Sequence, residues 1–145
     1  MIVMAVFGGC DKDEEKAYHA LVKELGESRV RRLNLGFLPD KAERARRLRL
    51  ETAGRYSDDI VTLVFGVKSY EESCVLRKIG AFVCHQYTAL TRVYDEVPIA
   101  IGDFIVSESR QVPPHVLTIV DAFSECLIRK RALNRQRRAK NKDVA

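Results

Sequence analysis

The feature that most restricts the fold is an alternation of short apolar runs with segments of helical periodicity. MIVMAVF (1–7) and DIVTLVFG (59–66) are rich in Val, Ile and Phe; Gly8-Gly9 bound the first and Gly66 ends the second. Such runs read as strands buried on both faces, the pattern of a parallel sheet covered by helices. Between them, Ala17, Ala20, Leu21, Val22 and Leu25 recur at helical spacing, and Gly26 supplies a stop. Asp11 followed by Glu14 predicts a capping box. RVRRLNLGF (29–37) alternates Val30, Leu33 and Leu35 with basic residues, which predicts a more exposed strand. Asp40 is placed to cap a second helix over 40–55 with a stripe of Ala42, Ala45, Leu48 and Ala53. Ser69, Glu72 and Gly80 frame a short third helix, and AFVCHQY (81–87) and DFIVSES (103–109) read as strands. TALTRVYDEVPIAIG (88–102) is irregular, and PPHVLTIVDAF (113–123) predicts a helix with its prolines in the first turn. The order β-α-β-α-β-α-β-loop-β-α defines a single three-layer α/β domain with a mostly parallel, roughly five-stranded sheet. Its ligand edge is the carboxyl ends of the strands, after Phe7, Leu35, Phe65 and Tyr87.

The 145 residues suit one core, and 46% apolar with 31% charged residues is ordinary for a globular chain. No apolar run reaches the ~20 residues of a membrane span. The apolar start lacks the basic flank of a secretion signal. An intracellular, cytoplasmic protein without a membrane partner is expected. Cys10, Cys74, Cys84 and Cys126 form no C-x-x-C pair, so neither a metal site nor a disulfide framework is predicted. The last three lie in apolar surroundings and are expected to be buried. Cys10 stands at a helix N-terminus, where a thiolate is stabilised.

The net charge of +5 is concentrated. Residues 129–142 carry eight basic and no acidic residues, leaving 17 basic against 20 acidic elsewhere. The chain therefore divides into an α/β domain over 1–128 and a basic tail over 129–145. Arg129, Lys130, Arg131, Arg135, Arg137 and Arg138 are candidate nucleic-acid contacts, with no interleaved aromatic residue for base stacking. The other reading of the tail is a solvated helix end whose cations complement the dipole.

FGGCDKDEE (7–15) poses the sharpest chemical question. A phosphate-binding loop uses G-x-x-x-x-G-K followed by Ser or Thr, so that backbone amides, a lysine and a magnesium-holding hydroxyl converge on phosphate. Gly8, Gly9 and Lys12 have the right order between strand and helix, but no glycine precedes Lys12 and Asp13 replaces the hydroxyl. Asp11, Asp13, Glu14 and Glu15 crowd the helix start, where they favour the dipole and repel phosphate. A capped turn accounts for every residue of the stretch. The arginines of 40–55 either solvate a helix face or, through Arg44, Arg47 and Arg55, clamp phosphate. Asp58, Asp59, Asp95, Glu96 and Asp103 show no catalytic spacing, and His85 reads as a structural histidine near the ligand edge.

VFGVKSYEESCVLRKIGAFVCHQY (64–87) resembles the third strand, Glu-bearing helix, glycine turn and fourth strand of the deoxynucleoside monophosphate kinases found in many bacteriophages. Val67 and Lys68 match a Val-Arg pair, Glu72 the helix glutamate and Gly80 the turn, while Gly66 stands where the family carries aspartate. DFIVSES and PPHVLTIVDAF are similar to the late strand and closing helix, and Lys12-Asp13 to the lysine-aspartate end of the family's phosphate loop. The resemblance covers about two-thirds of the chain and implies a P-loop-kinase-like fold, a nucleotide with magnesium as bound group, and Gly8, Gly9, Lys12, Arg44, Arg47 and Lys68 as phosphate contacts. The shortened loop implies a phage-type scaffold that has lost phosphoryl transfer and acts by binding a nucleotide, a nucleic acid or a host protein. The alternatives are an active nucleotide-processing enzyme using Lys12 and the arginines, and an accessory nucleic-acid-binding protein using its tail.

Overall fold

The computed structural model describes residues 1–54, 59–88, 94 and 97–144. Five strands, β1 (Ile2–Phe7), β2 (Val30–Asn34), β3 (Val61–Phe65), β4 (Phe82–Gln86) and β5 (Phe104–Val106), form one sheet in the order β2-β3-β1-β4-β5. Every pairing is parallel, with Met4 opposite Leu63 and Phe82, and Phe7 opposite His85. Four helices join and close it: α1 (Asp11–Leu25), α2 (Lys41–Thr52), α3 (Tyr70–Lys78) and α4 (Ile119–Val144).

Because side chains alternate across a strand, β1 serves two cores. Ile2, Met4 and Val6 pack with Leu21 of α1 and with Ile119, Phe123 and Cys126 of α4. Ala5 and Phe7 pack on the other face with Leu48 of α2 and Leu76 of α3. Full burial of Phe7, Met4, Leu21, Leu48 and Leu76 stabilises the layers by about 1.5–3 kcal/mol per side chain. β3 is buried at every position, whereas edge strand β2 alternates.

The chain leaves β1 for the β2 edge, returns to β3, and then crosses β1 to reach β4 and β5. α1 and α4 share one face, α2 and α3 the other. The connections beside β1 thus depart to opposite faces, which opens a crevice at its carboxyl end. Among the described residues no helix is long and apolar enough to cross a membrane.

Three local expectations are corrected. The cap of α1 lies one residue earlier, at Cys10 with Asp13 as its partner. The buried face of α2 is Arg44, Ala45 and Leu48, while Ala42 and Ala53 are exposed. α4 starts at Ile119 rather than at the prolines, because Leu117 bridges Val106 in extended form and extends the sheet edge first. Thr118 Oγ1 then accepts the Asp121 amide and Glu108 Oε1 accepts that of Ile119.

Candidate functional site

The connection from β1 to α1 is only Gly8, Gly9 and Cys10. Both glycines have positive φ, 77° and 78°, a conformation that side-chain-bearing residues adopt only with strain. A Cβ on Gly9 would come within 2.9 Å of Asp13 Oδ2 and of Gln86 Cγ, and one on Gly8 within 3.3 Å of the Tyr94 ring. The Cys10 amide, which an anion at this turn would use, donates instead to Asp13 Oδ2 at 2.9 Å. Lys12 is exposed and makes no ion pair among the described residues.

Two other acids of α1, Glu14 and Glu15, are spent on β2. Arg32 donates to Glu14 Oε1 at 3.0 Å and to Glu15 Oε1 at 2.6 Å, and Asn34 Nδ2 donates to Glu14 Oε2 at 3.0 Å. The Arg32 hydrogen bond holds the Glu15 carboxyl below its ordinary range. Asn34 Oδ1 accepts the Gly36 amide at 2.9 Å, and a Cβ on Gly66 would overlap that same oxygen. Lys68 Nζ donates to the Gly36 carbonyl at 2.7 Å. The ends of β2 and β3 are thereby knitted to each other rather than left open.

Arg44 is buried between α2 and α3. Its Nε meets Glu72 Oε1 at 2.8 Å and its Nη1 donates to the Leu38 carbonyl at 2.8 Å. Glu72 Oε1 also accepts the Ser69 hydroxyl at 2.9 Å. Arg47 is exposed on Glu43, and Arg46 followed by Arg47 lowers that carboxyl to about 2. Arg55, Asp58, Asp95 and Glu96 lie outside the described residues, and Asp59 lies in the turn before β3. Of the six phosphate candidates, Gly8, Gly9 and Lys12 lie together at the β1–α1 turn, and the other three lie elsewhere. Lys12 belongs to α1 on one face, Arg44 and Arg47 to α2 on the other, and Lys68 is tied to a backbone carbonyl.

A cluster at the opposite side of the crevice escaped sequence reasoning. His85 Nε2 lies 2.8 Å from Asp103 Oδ2, and its Nδ1 lies 2.9 Å from the Tyr94 hydroxyl. Arg77 grips Asp103 in fork geometry at 3.0 and 2.8 Å. An ionised carboxylate only accepts, so Nε2 carries a proton. Burial pushes the Asp103 carboxyl up, but Arg77 and His85 outweigh it and the net shift is downward. Burial, helped by the charge of Asp103, pushes the Tyr94 phenol up to about 12. Tyr94 covers Gly8 and places its hydroxyl 3.4 Å from the Phe7 carbonyl. The phase of His85 in β4 was the available signal, since it faces the same side as the buried Val83.

A polar cleft of about 210 Å³ lies beyond β4 and β5, lined by Lys16, Gln86, Thr88, Ser107, Glu108 and Ser109. Among the described residues no three metal-ligating side chains gather. The four cysteines are free. Cys84 and Cys126 are buried, whereas Cys74 is exposed, against expectation, because its position on α3 points away from Val75 and Leu76.

The basic tail is the continuation of α4, so the 128/129 boundary falls inside one helix. Arg129 is engaged, donating to the Gly102 carbonyl at 2.7 Å with its guanidinium 4.2 Å from the Phe104 ring centre. Lys130 Nζ donates to the Met1 carbonyl at 2.6 Å. Residues 131–143 are exposed throughout. Arg131, Arg135, Arg137 and Arg138 therefore stand in solvent together with Lys140 and Lys142.

Fold and edge together define a parallel α/β protein with a closed β1 turn and a projecting cationic helix. The chain matches no protein-family model, no curated protein and no solved structure.

Proposed function

We propose that this protein is a binding protein on a nucleoside-monophosphate-kinase-like scaffold, without phosphoryl transfer. The reading rests on one observation: the Asp13 carboxylate holds the Cys10 amide at 2.9 Å. Phosphoryl transfer depends on amide donors and a metal that neutralise the developing charge. Here a fixed negative charge holds one such donor, and a three-residue link is too short to wrap a triphosphate. The residues present do not fit a nucleotide with magnesium at this turn. Lys68 and Arg44, the other expected contacts, are engaged with Gly36 and Glu72.

The test is incubation of the full chain with labelled ATP, magnesium and each deoxynucleoside monophosphate. No ADP above the background without protein is expected, and millimolar ATP should leave the melting temperature unchanged. Magnesium-dependent ADP formation abolished by Lys12→Ala would overturn the proposal in favour of an active enzyme.

A further inference from the structure

We propose that the free end of α4 enters the major groove of duplex DNA, with Asn134 and Asn141 towards the base edges. This names the partner of the binding role proposed above, but it stands on a different part of the molecule. The helix projects about 20 Å past Lys130 at 1.5 Å per residue, exposed at every position from 131 to 143.

Its charge has an order. At about 100° per residue, Arg131, Arg135, Arg138 and Lys142 share one stripe. Arg137 and Lys140 lie about 130–170° around the axis from it. In the narrower gap between the stripes stand Asn134 and Asn141, with Ala132, Gln136, Ala139 and Asp143 in the wider gap and Leu133 between Arg137 and Lys140. Cations on two sides and amides between them match a groove whose walls are phosphate and whose floor is base edges. The B-form major groove, about 12 Å wide, admits a helix about 10–12 Å across. An Asn amide pairs in bidentate fashion with adenine there. Asn134 and Asn141 are about 10 Å apart along the axis, close to three steps of about 3.4 Å.

Other polyanions fit less well. Single strands are gripped by stacking on aromatic rings, and no aromatic residue follows Phe123. The major groove of duplex RNA is too narrow for side chains to read. A helix lying on a membrane needs one apolar face, whereas the exposed Ile128 and Leu133 diverge by about 140°. The free helix also repels itself, since Arg131 with Arg135 and Arg138 with Lys142 are like charges four residues apart. Phosphates on both walls relieve that repulsion.

The experiment is fluorescence anisotropy on the full chain. The probes are a 20-base-pair DNA duplex, its single strand, the equivalent RNA duplex and phosphatidylserine vesicles. Six phosphate contacts predict a slope of log affinity against log salt near about −5, and the DNA duplex should be preferred at least about tenfold. Changing Arg131, Arg135, Arg138 and Lys142 to Gln together should reduce the slope to about −2. Asn134→Ala with Asn141→Ala should keep the slope and erase a preference for A·T-containing over G·C-only duplexes. All these positions are exposed, and matching thermal melts will show that the variants fold. Equal or tighter binding to single strands, RNA or vesicles would overturn the proposal. So would absence of duplex binding at 50 mM salt, an unchanged slope in the Gln variant, or a base preference that survives loss of both asparagines. Phosphoryl transfer is read by a separate assay, so the two proposals fail independently.

Discussion

Arg44 and Glu72 meet in the interior with relative exposures of 6% and 2%. Removing one partner strands the other charge in a low-dielectric site, which costs about 3–5 kcal/mol, whereas replacing both with apolar groups is often neutral. Glu72→Ala should therefore lower the unfolding free energy by about 3–5 kcal/mol in urea titrations. Arg44→Met combined with Glu72→Leu should recover most of that loss. The pair was half legible. Glu72 was placed correctly at the start of its helix, and Arg44 sits four residues before Leu48, in phase with the buried face. Phase marks Arg44 as inward, unlike Arg46, Arg47 and Arg49, but nothing local identifies its partner, which is 28 positions away. What a buried charge pairs with is set by tertiary geometry.

At the scale of elements, Asp103 pins α3 to β4 through Arg77 and His85. Its folded pKa lies below the usual 3.8, so its contribution is present above that pH and is lost as acid protonates the folded carboxylate. The gap in melting temperature between the native chain and Asp103→Asn should be widest near neutrality and close as pH falls below 3.8. Tyr94 has the opposite sign. Its phenol keeps its proton to about 12 in the fold against 10.0 ordinarily, so stability should decline between those values. Tyr94→Phe should flatten that alkaline limb. Strands and helices themselves were legible, because apolar periodicity and glycine stops act locally. The start of α4 was not, since Leu117 is captured by β5 before the helix begins. The cluster around His85 unites residues from α3, β4 and the loop before β5, and no short window contains it.

Over the whole molecule, charge is divided between a slightly acidic body and a basic rod. That division was legible from composition along the chain. What composition could not give was the helical continuity of the rod and the two-sided order of its cations. Because residues 131–143 are exposed throughout, ending the chain after Lys130 should shift the melting temperature by less than about 2 °C, as loss of well under 1 kcal/mol would. Scanning calorimetry of the two lengths checks this, and the shortened chain should no longer bind a cation exchanger at neutral pH. At the ligand edge the Asn34 amide fills the space beside Gly66. Aspartate at position 66 would collide with Asn34, whose oxygen is already committed to Gly36. A side chain at position 66 is therefore sterically barred while Asn34 keeps its place, so equipping the end of β3 takes two substitutions in order: position 34 must shrink first.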